Sequence, residues 1–482
     1  MAVPVCRACG AVSRDMTTTL ANSITHAPFG PVSGLTYGNG LTLTNTYDSQ
    51  YRLTDTQVGQ LLDRNYSFNG NDDITGINQE VTGQLVFDYD PLRRLEYAQT
   101  PSTILSWTYD SNGNRLSETA GQLVDTYYVD SWSNRLLEIS GSTQSIYTYD
   151  ANGNVLSKGG LNFSYDRYNS LTSVSGTVSA TYTYNANRQR TSKTVNGQTT
   201  YYLYNQSGQL LAELDHSGQT KVEYVWLGTQ PLAVIHSGPA SAVVYYIHTD
   251  HLNTPQVVSD NQGTVVWRAD YDAFGQASVA PGSILTFNLR FPGQYFDSET
   301  GLHYNYFRDY DPSTGRYIQS DPIGLQGGLN TYGYVENNPL IYSDPFGLLR
   351  WRGTATSVGV VGGVGATATR YELTSDWVDG KRATVTVIGV GPALGVGADV
   401  TTASSCVEFT EPFEFIKPEL FNGQYVSDQV GWSMLWAGYG SGVTQLGEAW
   451  NVSHGKIDFG WDASWSLTVG SSTVVDVEWE ER

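Results

Sequence analysis

Cysteine, positive charge and long apolar runs are all scarce in this chain. Three cysteines in 482 residues are too few for a disulfide scaffold. Cys6 and Cys9 form a CxxC, but no second pair and no nearby histidine completes a ligand set, so no metal or cofactor is expected there. Cys406 stands alone. Lys and Arg number 26 against 47 Asp and Glu, a net charge of −21. So acidic a surface repels phosphate backbones, and no nucleic-acid partner is expected from electrostatics. The imbalance is spread evenly: residues 1–348 hold 18 basic against 31 acidic side chains, and residues 349–482 hold 8 against 16. No apolar run follows Arg7 and Arg14, so no signal peptide is visible. The glycine-rich stretch Thr354–Thr369 is short of the roughly 20 residues that span a bilayer. The expectation is a chain that is cytoplasmic before export and reaches the surface or the medium by a route without a cleaved signal.

Glycine (51) and tyrosine (33) are abundant instead. Tyr and Thr favour strands, while Gly, Asn and Asp favour turns, so the composition predicts an all-β protein. A repeat organises it. Tyr-Asp or a near variant recurs at Tyr47-Asp48, Phe68-Asn69, Tyr89-Asp90, Tyr109-Asp110, Val129-Asp130, Tyr149-Asp150, Tyr165-Asp166, Tyr184-Asn185 and Tyr204-Asn205. The steps from Tyr89 to Tyr149 are 20 residues each. The unit is clearest in YDSNGNRLSE (109–118) and YDANGNVLSK (149–158). An alternating strand ends at Asp150, Asn152-Gly153-Asn154 supplies left-handed turn conformations, and Val155-Leu156 starts the return strand. A lone hairpin is marginal in water, so the units must pair edge to edge in one long sheet.

From Tyr245 the periodicity gives way to specific sequence: IHTDHLNTPQVVSDNQGTVVWRADYDAFG (247–275), then LRFPGQYFDSETGLHYNYFRDYDPSTGRYIQSDPIGLQGGLNTYGYVENNPLIYSDPFGL (289–348). These segments and the repeats resemble the YD repeats and repeat-associated core of Rhs proteins, teneurins and the C components of insecticidal toxin complexes, over roughly residues 35–348. The resemblance implies YD hairpins in a long spiralling sheet, a partial shell, followed by a small β-rich C-terminal domain. It divides the chain into an irregular N-terminal segment (1–34), YD repeats (35–244), the Rhs-associated core (245–348) and a variable cargo domain (349–482).

In that family the core ends in an autoproteolytic site with two DPxGL motifs separated by a short spacer, here Asp321-Pro322-Ile323-Gly324-Leu325 and Asp344-Pro345-Phe346-Gly347-Leu348. The resemblance makes Asp321 and Asp344 the catalytic carboxylates and Leu348–Leu349 the scissile bond. Two carboxylates held close cannot both ionise cheaply, so one can activate water while the other polarises a carbonyl. Pro322 and Pro345 limit the orientation of each aspartate, and Gly347 permits close backbone approach. Arg316, in GRYIQSDP, is a candidate for balancing their charge. The plainer reading is that DP-G sequences are ordinary turn formers. Asp250, Asp270 and Asp309 read as turn or shell residues. His248, His251 and His303 read as packing residues, because no spacing links them as metal ligands.

Beyond Leu348 the YD units stop. This segment holds 8 of the 12 tryptophans, 19 glycines and one histidine, His454. Ala383–Gly389 and Val475–Trp479 alternate as strands do. Gly389-Val390-Gly391 and Gly395-Val396-Gly397 read as bends, and the whole as a curved sheet or barrel of six to eight strands. One histidine excludes two-histidine nuclease sites. Cys406 with His454 lacks a local motif, and His454, Asp458 and Glu448 read as surface polars rather than a small acid–base or metal site. GVGPALGVG (389–397) lacks the ending of a phosphate loop, and no cofactor is expected. Trp432, Trp436, Trp450, Trp461 and Trp465 are core residues or an amphipathic surface for membrane or glycan. The composition is compatible with a membrane-active cargo.

Two functions compete. One is a self-cleaving shell that releases a C-terminal effector, with a cognate immunity protein, a secretion-system component and an N-terminal Rhs shell partner. The other is a non-enzymatic surface or adhesion repeat protein, or a degenerate cassette.

Overall fold

A computed structural model describes residues 19–28, 31–79, 83–238, 241–324 and 329–347 in full. For the C-terminal part it describes the backbone of 350–375, 381–410, 423–434, 437–446, 449–457 and 462–481. Cys6, Cys9, Leu348 and Leu349 lie outside the described residues, as do the side chains of the cargo. Two compact units result: one of residues 1–27, 32–320 and 332–347, the other of 28–31, 321–331 and 348–482.

In the first unit, thirteen antiparallel strands run in sequence order from Ala21–His26 (β1) to Ser145–Ile146 (β13). Fourteen more follow, from Thr148–Tyr149 (β14) to Ala277–Val279 (β27). Tyr147 separates the two sheets, and its N–H still donates to Leu137 O at 2.9 Å, so the hairpin array is almost continuous. The all-β spiral of YD hairpins is thus what the structure contains. Strand β1 falls in the segment expected to be irregular and pairs with Val32–Tyr37. The hairpins also run past Tyr245, where the sequence had lost its period but Asp250, Asp260 and Asp272 still make the turn.

Each Tyr-Asp-type turn is built around one side chain. The Oδ1 of Asp110 accepts the N–H groups of Asn112 and Asn114 (2.9 and 2.8 Å). Asp48, Asn69, Asp90, Asp166, Asp215, Asp250, Asp260 and Asp272 repeat that pair of bonds to the residues two and four positions on. The residue three positions on has positive φ: Gly113 (+78°), Gly153 (+88°), Asn169 (+64°). This is a three-residue hairpin loop with its bulge, and the ladder shifts register beside the turn residue. In Asn152-Gly153-Asn154, therefore, only Gly153 takes the left-handed conformation.

The tyrosine has a separate task. The phenols of Tyr89, Tyr149, Tyr165 and Tyr184 donate to the carbonyls of Ile74, Leu136, Val155 and Leu171 at 2.8–2.9 Å. Tyr109 reaches Leu95 O at 2.6 Å. Every acceptor is the first buried aliphatic residue after the preceding turn. Trp226 does the same with its indole, to Leu210 O at 2.8 Å. The bond ties the end of one hairpin to the start of the last.

Alternation sends one large side chain per strand inward: Trp107, Tyr127, Ile139, Phe163, Tyr182 and Tyr202 are all buried. They pack on the core segment. Tyr66, Phe87 and Trp107 meet Phe274; Tyr127, Phe163 and Tyr182 meet Leu302 and Ile318; Tyr202 and Tyr224 meet Phe287 and Tyr295. Leu35, Leu43 and Val58 pack with Leu232, Tyr246 and Val257, so the start of the spiral meets a later turn of it. Burying each such side chain stabilises the fold by about 1.5–3 kcal/mol.

Among the described residues the second unit holds six strands: Arg350–Ser375 (β32), Lys381–Thr410 (β33), Gly423–Met434 (β34), Ala437–Leu446 (β35), Ala449–Ile457 (β36) and Asp462–Glu481 (β37). They pair in the order β32-β33-β36-β35-β34-β37, and β33 also pairs with β37. The two Gly-Val-Gly stretches expected to bend lie inside β33 and keep unbroken register with β32. Gly395 sits opposite Gly363, where two small residues leave the ladder undisturbed.

Gly153 separates backbone strain from crowding. A Cβ there would lie 2.6 Å from Tyr332 Oη, whereas at Gly121 (φ +63°) it would meet nothing within 4 Å. Gly121→Ala is expected to cost about 1 kcal/mol and Gly153→Ala at least about 2 kcal/mol more. Urea midpoints of the two variants measure the difference, and equal midpoints would contradict the contact.

Candidate functional site

Four short strands inside the first unit form the platform: Tyr295–Asp297 (β28), Leu302–Asn305 (β29), Arg308–Asp311 (β30) and Arg316–Tyr317 (β31). Asn305 pairs with Arg308 around a two-residue turn, Tyr310 pairs with Tyr317, and Asp311 pairs with Arg316. Paired residues share a face and neighbours alternate. One face therefore carries Asn305, Arg308, Tyr310 and Tyr317; the other carries Tyr304, Asp309, Asp311 and Arg316.

The second face holds the hairpins. Lys158 pairs with Asp311. The main-chain N–H of Arg190 donates to Tyr304 Oη at 2.9 Å, while its guanidinium pairs with Asp297 at 2.6 Å. Arg316 donates to the carbonyl of Asn134, in a hairpin turn, at 2.5 Å and lies over Tyr332. The segment after it continues along the turns. Tyr332 Oη bonds Gly153 O (2.7 Å), Asn337 bonds Gly113 O (2.9 Å), and Asn338 bonds Asp73 and Arg93 O (both 3.0 Å).

The first face holds Asp344. Its Oδ1 accepts the N–H of Gly347 at 2.6 Å. Its Oδ2 accepts the hydroxyl of Tyr317 at 2.8 Å and Nη2 of Arg308 at 3.4 Å. Arg308 Nε also donates to Gly347 O at 3.1 Å, and the guanidinium lies 3.7 Å from the centre of the Tyr317 ring. Asn305 Nδ2 donates to both Tyr317 Oη (2.7 Å) and the main-chain carbonyl of Asp344 (2.8 Å). Gly347 has φ +72°, and a Cβ there would stand 3.2 Å from Asn305 O. Gly347, the residue before Leu348, is thus held at its N–H by Asp344 and at its C=O by Arg308.

Arg316 was the arginine expected beside this carboxylate. The structure gives that place to Arg308, because strand alternation turns Arg316 to the opposite face. Arg308, Tyr317 and Asn305 were the residues sequence reasoning missed; the usable signal was the alternation of NYFRDYDP against GRY across two tight turns.

Asp321, in the second unit, caps its own turn. Its Oδ1 accepts Ile323 N–H and its main-chain carbonyl accepts Gly324 N–H, both at 2.9 Å, and Gly324 has φ +64°. Both aspartates therefore perform turn chemistry.

The remaining candidates are structural. Asp250 caps a turn, and Asp270 is exposed on its strand. His248 bonds Ser259 Oγ, His251 bonds Leu340 O, and His303 bonds Gln294 Oε1. Burial pushes His248 and His303 down to about 3, so both are neutral packing groups. Among the described residues no group of three or more His, Cys, Asp or Glu could hold a metal ion.

An open spiral of antiparallel hairpins, with Tyr-Asp turns capped by Asp or Asn and many of them tied back by an aromatic donor, defines a YD-repeat shell protein of the Rhs type. Residues 88–340 match the family model described as the teneurin YD-shell, more than half of the chain, and the chain belongs to that family. It is 32% identical to double-stranded DNA deaminase toxin A of Burkholderia cenocepacia, covering 60% of this chain and 22% of that protein. It is 43% identical to toxin protein Tse5 of Pseudomonas aeruginosa over 22% of this chain and 8% of that one. Against the probable deoxyribonuclease RhsA of Dickeya dadantii the values are 26%, 68% and 24%. The chain thus spans a quarter or less of the length of these relatives. Among solved structures, the Tc holotoxin pore of Photorhabdus luminescens superposes with a TM-score of 0.59 at 20% identity, over 69% of this chain and 19% of that one. The TcdB2–TccC3 complex gives 0.59 at 21% over 70% and 20%. These two likenesses concern the fold.

Asp309, on the hairpin side of the platform, offers a pH test. Its Oδ2 accepts Gln319 Nε2 at 2.6 Å, and burial pushes its carboxyl up to about 7. A raised carboxyl binds its proton in the folded state while the unfolded chain has lost it, so its contribution declines between about pH 4 and 7. Asp309→Asn is expected to leave stability near pH 4 unchanged and to raise it at pH 8 by about 2–4 kcal/mol. Denaturant titration at the two pH values checks this; an equal effect at both would contradict the buried, protonated carboxyl.

Proposed function

We propose that this chain is the C-terminal part of an Rhs-type toxin whose β-shell encloses a C-terminal effector and releases it by aspartyl autoproteolysis after Leu348. The observation that carries the reading is the clamp on Gly347, whose N–H and C=O are held by Asp344 and Arg308. That clamp fixes the backbone entering the Leu348–Leu349 bond, and positioning of a reacting group is a large part of catalysis. Arg308 takes the charge-balancing part.

In the reaction, a water oxygen adds to the Leu348 carbonyl carbon and the bond to Leu349 nitrogen breaks. One water proton passes to Asp344, the carboxylate beside the guanidinium, which then gives it to the departing Leu349 nitrogen, while the other stays with the new Leu348 carboxyl group. Asp321 supplies the second carboxyl, which polarises the carbonyl. The names of the relatives, toxins among them, support a toxin shell. They also support a cognate immunity protein and an export component as partners, an N-terminal shell segment from the same or another chain, and a secreted or cell-surface destination.

Purified wild-type chain is expected to give two masses, split after Leu348. Asp344→Asn should give one mass, and Arg308→Ala should slow the split at least about tenfold, as loss of a positioned charge does. A wild-type chain that stays whole would instead favour the role of turn former for both aspartates, and with it a non-enzymatic surface protein.

For the effector, GVVGGVGA (359–366) and GVGPALGVGA (389–398) support a membrane-active reading. The piece beginning at Leu349 is then expected to release dye from lipid vesicles, and the uncut Asp344→Asn chain is not. Vesicles that remain tight would rule out the membrane reading.

A further inference from the structure

We infer that Tyr317 is a positioning residue for the cleavage, holding the Asp344 carboxylate in one orientation through a hydroxyl that Asn305 locks; this rests on the autoproteolysis proposed above. The lock follows from counting donors. Asn305 Nδ2 has two hydrogens, one given to Tyr317 Oη (2.7 Å) and one to Asp344 O (2.8 Å). A phenol that accepts there points its own proton elsewhere, and the acceptor is Asp344 Oδ2 at 2.8 Å. Asn305 is fully buried and Tyr317 nearly so.

The ring itself cannot swing. Arg308 covers one face at 3.7 Å, and Tyr310 and Tyr334 contact it at 5.8 Å between ring centres in edge geometry. Among the described residues, Arg308 and Tyr317 are charged or titratable groups that bond Asp344 from the neighbouring strands, and Tyr310 and Tyr334 flank the Tyr317 ring. Burial, reinforced by the charge of Asp344, raises Tyr317 well above the ordinary tyrosine range, so the hydroxyl keeps its proton to donate.

The arrangement exceeds what packing needs. Phenylalanine would give Arg308 the same ring face. What the hydroxyl adds is a charge-assisted bond to the carboxylate that must take a proton from water. Removing it takes away the 2.8 Å bond to Oδ2, which is much shorter than the 3.4 Å contact of Arg308 with the same oxygen.

The test uses the full chain, recovered uncut from inclusion bodies and refolded by dilution at pH 4.5 to 8.5, with intact mass followed in time. Tyr317→Phe is expected to move the acid limb of the cleavage profile up by about one pH unit, slowing cleavage about tenfold on that limb. Replacing Tyr317 by 3,5-difluorotyrosine, a stronger donor of nearly the same size, is expected to move the limb down. A far-ultraviolet spectrum confirms folding, and the fluorinated chain decides alone if Tyr317→Phe does not fold. Cleavage by wild type but not Asp344→Asn, with both Tyr317 variants matching the wild-type profile, overturns the positioning role and leaves the proposed cleavage standing. A wild-type chain that stays whole overturns both.

Discussion

The first unit depends on satisfying its own backbone at the turns. A long hairpin array must reverse direction every few residues, and each reversal leaves N–H groups without ladder partners. At the Tyr-Asp-type turns one Asp or Asn side chain takes two of them, and at many of these an aromatic donor on the same strand takes a carbonyl of the hairpin before. Unmade hydrogen bonds of this kind cost about 1–3 kcal/mol each. The repeat is legible as Tyr-Asp because its two residues do two jobs, one within a turn and one between hairpins.

The exceptions are informative. Where Val129 replaces the tyrosine, the position that would present the accepting carbonyl is Arg115, not an aliphatic residue. Its buried guanidinium lies against Trp107, Tyr127 and Phe274. Arg190 holds the equivalent place after Asn185 and faces Tyr182, Tyr202 and Tyr304. At both places a cation bound to rings on the inner face replaces the aliphatic anchor of the other hairpins. Past Ser320 the segment returns at Tyr332 and follows the turns, bonding those near residues 153, 113 and 93. The same platform that meets the hairpins on one face presents Arg308 and Tyr317 to Asp344 on the other.

Much of this was readable beforehand. Periodicity and turn chemistry predicted hairpins, and the two DPxGL motifs marked the segment around Asp344. The strand Ala21–His26 was missed because ANSITH lacks a tyrosine or a turn aspartate. The hairpins beyond Tyr245 were missed because Asp250, Asp260 and Asp272 keep the turn while the residues around them no longer repeat. Arg316 was singled out from GRYIQSDP, just before Asp321, and Arg308 was not considered. Strand alternation, which turns Arg316 to the opposite face, becomes visible only once β30 and β31 are known to pair in the register of Tyr310 with Tyr317. The orientation of Asn305, which sets the direction of the Tyr317 proton, lies in tertiary contact and has no local signal.

Taken together, these contacts make the Asp344 site a product of the assembled shell, since its platform is held in place by the hairpin turns. Refolding the full chain with two simultaneous readouts tests this most directly: hydrogen exchange at the turn amides of Asn112, Asn114 and Asn154, and the mass of the piece beginning at residue 349. The account predicts that the piece accumulates only after those amides are protected. A piece that forms while they still exchange freely would contradict it.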